Sequence, residues 1–173
     1  KNLAIAYLDE NKLDNAISGF NKAIELGIKD SDTYYHLAIA YDTKGELENA
    51  KYFFQEAIEL NPPINELKKI YLHLGLIYFD SNRLDNAIEY LKKVVKLDAK
   101  NGSALAFLGF AYDEADKIEE AISYYNQALL NLTDTELQAQ IYSGLAAIYL
   151  TRQLNKEAVE IANKALELNN DNP

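Results

Sequence analysis

The stretch Asp32–Pro62, DTYYHLAIAYDTKGELENAKYFFQEAIELNP, decides how the rest of the chain is read. Tyr34, Leu37, Ala38 and Tyr41 fall at i, i+3, i+4 and i+7, which places them on one face of a first helix. Gly45 ends that helix, and a second apolar stripe of the same period follows, Leu47, Ala50, Phe54, Ala57 and Ile58. It stops at Asn61-Pro62, where proline cannot continue a helix. The stretch is a helical hairpin. Neither helix buries its stripe against one partner alone, so the unit needs neighbours on both sides.

Those neighbours are in the sequence. The first-helix leucine returns as Leu3, Leu37, Leu74, Leu108 and Leu145, and the tyrosine as Tyr7, Tyr41, Tyr78, Tyr112 and Tyr149, at intervals of 34, 37, 34 and 37 residues. In the second helix Ala16, Ala50, Ala87, Ala121 and Ala158 recur, followed four residues later by Phe20, Phe54, Leu91, Tyr125 and Ala162, then by Ala23, Ala57, Val94, Ala128 and Ala165. Tyr34-x2-Leu37-Ala38-x2-Tyr41, then Ala50-x3-Phe54 and Pro62, resembles the tetratricopeptide repeat signature, with Tyr34 where that family usually has Trp and Ala38 where it often has Gly. The resemblance implies an all-α, right-handed superhelical solenoid of antiparallel helix pairs. The expected organisation is one array over 1–173, with five repeats at approximately 1–30, 31–63, 64–100, 101–134 and 135–170.

The formal net charge of −10 argues against nucleic acid, because binding a phosphate backbone relies on Lys and Arg displacing condensed counterions. Basic or neutral peptides suit it better. Without cysteine there are no disulfides, thiolate nucleophiles or Cys-ligated metals. No apolar run is long enough for a membrane span, so no membrane insertion is expected; a cytoplasmic location is.

Leu3 has only two residues before it, so the first helix opens without its start, and a fragment of a longer protein is expected. The expected final helix, roughly Leu154 to Leu168, is followed only by Asn169-Asn170-Asp171-Asn172-Pro173, which leaves its outer face uncovered. Between the helices of each pair stand Asn11, Gly45, Asn82 and Asp116, residues that tolerate the left-handed backbone of a helix C-cap; Gln153 is the exception. The three extra residues of the 37-residue intervals precede Leu74 and Leu145, and predict first helices longer there by most of a turn, about 4.5 Å. Helix starts are expected at Ser31 and Asp32, at Pro62-Pro63, at Asn101 and Ser103, and at Thr133-x-x-Glu136, a capping box. Gly75 and Gly109 occupy the small site after the leucine and read as close helix packing.

No nucleotide loop, nucleophile elbow or metal-type Cys/His spacing occurs, and neither an enzyme activity nor a cofactor is expected. His36 and His73 precede successive first-helix leucines. In tetratricopeptide arrays that row faces the concave groove, and the resemblance implies that groove residues contact the ligand. The candidate ligand-binding set is Tyr35, His36, Ile39, Lys69, Leu72, His73, Leu76, Phe107 and Phe110, with Asp32, Asp42 and Asp113 around it. Three readings stand open: a groove for an extended or helical peptide, aromatics merely packed against neighbouring helices, and a histidine pair that binds metal or senses pH. Some family members clamp a C-terminal carboxylate with Lys, Asn and Arg side chains. The matching positions are Lys1, Ile5, His36, Lys69 and His73, where only the lysines fit, so no such clamp is expected.

The expected function is a non-catalytic scaffold that binds a protein or peptide partner in the groove. The alternatives are self-assembly through uncapped ends, with Ala162 and Ala165 in the contact, and a substrate-positioning domain of a larger enzyme.

Overall fold

A computed structural model describes residues 1–170, and among these every regular element is helical. The helices are α1 (Asn2–Asp9), α2 (Leu13–Glu25), α3 (Ser31–Thr43), α4 (Leu47–Glu59), α5 (Ile64–Asp80), α6 (Leu84–Leu97), α7 (Gly102–Glu114), α8 (Ile118–Leu129), α9 (Thr135–Thr151) and α10 (Asn155–Asn170). The chain divides into two compact units, the first ending at Ile77 and the second beginning at Tyr78. The tail at 171–173, part of the expected uncovered end, lies outside the described residues.

In the first unit α1 packs on α2, α2 on α3 and α3 on α4. Its core is built from the repeating positions: Ala16, Phe20, Leu37, Ala38, Ala50, Phe54 and Ala57 are fully buried. Leu3 departs from the expectation and is 66% exposed; Ala4 is the α1 side chain that is buried, 2.8 Å from where a Cβ on Gly19 would stand. Leu37, by contrast, is covered because α2 precedes its helix. In the second unit α6 packs on α7, α7 on α8, and α9 on α7, α8 and α10, burying Leu91, Val94, Leu108, Ala121, Tyr125 and Ala128 completely. Leu91, Val94 and Leu108 each contribute about 1.5–3 kcal/mol by leaving water.

The tyrosines of the first helices stack on a position that the stripe reading left out. Tyr41 lies parallel to Phe53 at 5.4 Å, Tyr78 to Tyr90 at 5.5 Å and Tyr112 to Tyr124 at 5.4 Å. Phe53, Tyr90 and Tyr124 each immediately precede the large buried residue of a second helix.

The same tyrosines close the turns with their main chain. Their carbonyls accept the amides five residues on: Lys12 from Tyr7, Glu46 from Tyr41, Arg83 from Tyr78, Lys117 from Tyr112 and Leu154 from Tyr149, all at 2.8–3.0 Å. This bond pattern requires one left-handed residue, found at Asn11, Gly45, Asn82, Asp116 and also Gln153, whose φ of 61° makes the fifth turn like the others. The backbone closure imposes the conformation, and glutamine bears the strain.

The side-chain caps sit one residue from two of their expected places. Asp30, preceding Ser31, accepts from the Thr33 amide at 2.8 Å. Asp134 caps α9 by accepting from the Leu137 amide at 3.0 Å, so the Thr133–Glu136 capping box does not form. Asn101 caps α7 as expected. The first helices of 37-residue intervals, α5 and α9, have 17 residues against 13 in α3 and α7. All the added length precedes the leucine, and at 1.5 Å per residue it amounts to about 6 Å.

Candidate functional site

Each unit carries a pocket lined mainly by first-helix residues. In the first, Asp32, Tyr35 and His36 of α3 face Asn65, Glu66 and Lys69 of α5 across Pro63, around about 310 Å³. The helix period places Asp32, Tyr35 and His36 on one side of α3. His36 Nδ1 lies 2.8 Å from the Asp32 backbone oxygen and so donates to it, with Asp32 Oδ1 3.3 Å from the same nitrogen. Glu66 Oε1 is buried without a hydrogen-bond partner. Burial raises the Tyr35 phenol above its usual range, and the charges of Glu66 and Asp32 push it the same way.

The two histidines are not paired with each other. His36 stacks on Phe20 at 6.1 Å and His73 on Phe54 at 5.4 Å, while the Tyr35 ring sits edge-on to both, at 5.1 and 6.1 Å. His73 Nδ1 lies 3.6 Å from Asp42 Oδ2. Among the described residues no group of three or more His, Cys, Asp or Glu could hold a metal ion. Lys1 is engaged by Asp32 at 2.8 Å and Asp30 at 3.0 Å, so the lysine that a carboxylate clamp would use is already paired.

In the second unit Phe79, Phe107, Phe110 and Tyr125 form an edge-to-face chain with centroids 5.6, 5.7 and 5.3 Å apart. With Asp113, Glu114 and Gln140 they enclose about 250 Å³. Tyr125 is fully buried, and its hydroxyl donates to Asp113 Oδ2 at 3.1 Å. Burial, then the Asp113 and Glu114 charges, push its ionisation far above the ordinary phenol range. The floor is tight, because a Cβ on Gly109 would meet the Tyr125 ring at 2.4 Å.

Of the sequence-derived set, Tyr35, His36 and Lys69 line the first pocket, and Phe107 and Phe110 the second. Ile39, Leu72, His73 and Leu76 are half-buried and line neither. Glu66, Phe79, Glu114 and Gln140 went unread. Phe79 had a signal, since it directly follows the repeated Tyr78; Tyr125 was legible as core but not as a hydroxyl reaching a pocket, because its equivalents are Phe20, Phe54 and Leu91.

Helical hairpins closed by tyrosine carbonyls, with exposed chemistry on the first helices, define a tetratricopeptide-type repeat protein. All of residues 1–173 matches the tetratricopeptide repeat protein 21 C-terminal ARM domain, and the chain belongs to that family. No curated protein matches it in sequence. Among solved structures it is similar to MamA, with a TM-score of 0.84 at 21% identity over 96% of this chain and 94% of that one. YrrB, described as a TPR protein with an unusual peptide-binding site, gives 0.80 at 21% identity over 99% and 85%. MamA from Desulfovibrio magneticus RS-1, residue 41 to its end, gives 0.83 at 20% identity over 99% and 93%. These likenesses establish the fold as that of the tetratricopeptide solenoids. No helix among the described residues is long and apolar enough to cross a membrane.

Proposed function

We propose that this protein is a non-catalytic interaction scaffold that binds an extended or helical peptide segment of a partner on its first-helix residues. The observation that carries this reading is the second-unit pocket, in which Phe107 and Phe110 keep part of their ring surface open beside two carboxylates. Half-open aromatics in a concavity are the usual anchor points for a partner's side chains. The peptide-binding site ascribed to YrrB lends the same direction on a similar fold. The first-unit pocket would supply polar contacts through Tyr35, His36 and Lys69, with Ile39, Leu72, His73 and Leu76 as flanking surface. The reading places the protein in the cytoplasm and gives it no nucleic-acid role.

Selection of random dodecapeptides on the immobilised chain tests this. Enriched peptides should bind the wild type and lose at least about tenfold in affinity to Phe107→Ala, the usual effect of removing a buried aromatic anchor. No enrichment, or equal binding by a folded variant, rules the reading out.

Self-association is the second reading, favoured by Val159 and Leu166, which lie on one face of α10 and are both more than half exposed. The contact residues expected from the sequence change accordingly, since Ala165 is buried and Ala162 half-buried. A Val159→Glu/Leu166→Glu variant should leave mass in solution unchanged unless this reading is right.

A further inference from the structure

The second-unit pocket has aromatic walls and an acidic rim, and no basic side chain lines it. Asp113 Oδ2 accepts from Tyr125, but Asp113 Oδ1 and both oxygens of Glu114 have no hydrogen-bond partner among the described residues. Neither carboxylate is paired with Lys or Arg there. The nearby lysines point elsewhere, Lys92 and Lys117 lying over the Tyr112 ring at 5.4 and 5.7 Å.

Each class of guest meets this differently. An aliphatic side chain would fill the space between the rings and strip water from the carboxylates without replacing it. An anion would be repelled. A cation meets the negative faces of the rings and the carboxylates together. Among cations, guanidinium is planar and weakly hydrated, so it stacks on a ring while its rigid fork reaches two acceptors; the compact, strongly hydrated ammonium has no planar face and gives up more hydration to enter. The volume, about 250 Å³, suits one long side chain. We propose that this pocket is a subsite for an arginine side chain, held by stacking on the open face of one of the two phenylalanine rings, Phe107 or Phe110, which meet each other edge to face, and by Asp113 and Glu114. This rests on the peptide reading above and names the partner's chemistry: a basic segment with an arginine anchor, in keeping with a chain of net charge −10.

The test follows the ring signals of the intact chain by NMR while Nα-acetyl-arginine amide, its lysine analogue or its neutral citrulline analogue is added. The arginine probe should give saturable shifts at Phe107, Phe110 and Tyr125, bind about threefold or more tighter than the lysine probe, and outcompete citrulline entirely. Asp113→Asn keeps an acceptor for the Tyr125 hydroxyl but removes the charge, and should weaken arginine about tenfold. Glu114→Gln, on an exposed side chain, serves as a second variant with no folding risk and should weaken it further when combined. Equal shifts with citrulline, no saturable shift up to roughly 50 mM (well beyond the millimolar affinity expected of a single residue), or full affinity in the double variant overturns the subsite. Dodecapeptides that bind through Phe107 without arginine, alongside a silent arginine probe, overturn the subsite and leave the peptide reading standing. Arginine binding with no enriched peptide supports the subsite and sinks the peptide reading alone.

Discussion

Gly109→Ala should destabilise this protein, although alanine is the better helix former. In an exposed helix the change would gain about 0.8–1 kcal/mol. Here the new Cβ would stand 2.4 and 2.6 Å from two carbons of the Tyr125 ring, closer than real packing allows. The ring has little room to retreat: it is fully buried, its hydroxyl is tied to Asp113, and that hydroxyl occupies space 3.1 Å from where a Cβ on Gly144 would be. Overpacking costs about 1–3 kcal/mol, and more when a rigid ring must shift. The net is a loss of about 1–2 kcal/mol, which for this chain length lowers Tm by about 2–8 °C. Tyr125→Phe releases the ring on the Gly144 side, so the same alanine should cost about 1 kcal/mol less in that background, a coupling readable from a double-mutant cycle by circular dichroism. A rise in Tm for the single variant would falsify the argument, because it would show the propensity gain realised and the ring free to move. Equal cost in both backgrounds would show that the hydroxyl does not hold the ring.

Asp30→Ala should cost about 1 kcal/mol in urea denaturation through loss of the α3 cap. Burial works to raise the Asp30 carboxyl, but hydrogen bonds from the Thr33 hydroxyl, Lys1 and the Thr33 amide outweigh it and hold it below its ordinary value. The folded value is therefore the lower one, so its contribution is complete above about pH 3.9 and is lost as pH falls through the folded value; the variant should show a shallower acid limb below that point. Gln153→Gly should raise stability by about 0.5–1 kcal/mol, since left-handed backbone at φ 61° strains glutamine more than glycine's extra freedom costs in the unfolded chain; a lower Tm would refute this. Phe54→Ala, at a fully buried position, should cost about 3–5 kcal/mol, and a loss below about 1 would mean that the core collapses around it.

The fold was legible because burial here repeats with the sequence. Once Leu37 and Phe54 were placed, Leu108 and Leu91 followed at fixed intervals, and all four are fully buried. Leu3 broke the pattern: no helix among the described residues covers it and it is 66% exposed, whereas α2 packs over Leu37. Caps were less legible, because Asp30, Ser31 and Asp32 all have capping side chains and only backbone geometry chooses among them. The pockets were least legible. Phe107 and Phe110 were found from the period, but Glu114 and Gln140 enter through exposed positions that no repeat constrains.

The turns closed by tyrosine carbonyls are made entirely of main chain. The residues that then open the second helices, Lys12, Glu46, Arg83 and Lys117, make no side-chain cap hydrogen bond, and their charges run positive, negative, positive, positive at equivalent places. A joint that constrains the left-handed residue but takes no cap bond from the side chain after it can carry either charge at that second place. The electrostatic character of that edge is thereby uncoupled from folding, so two descendants of one such array could present opposite charges there on an unchanged frame.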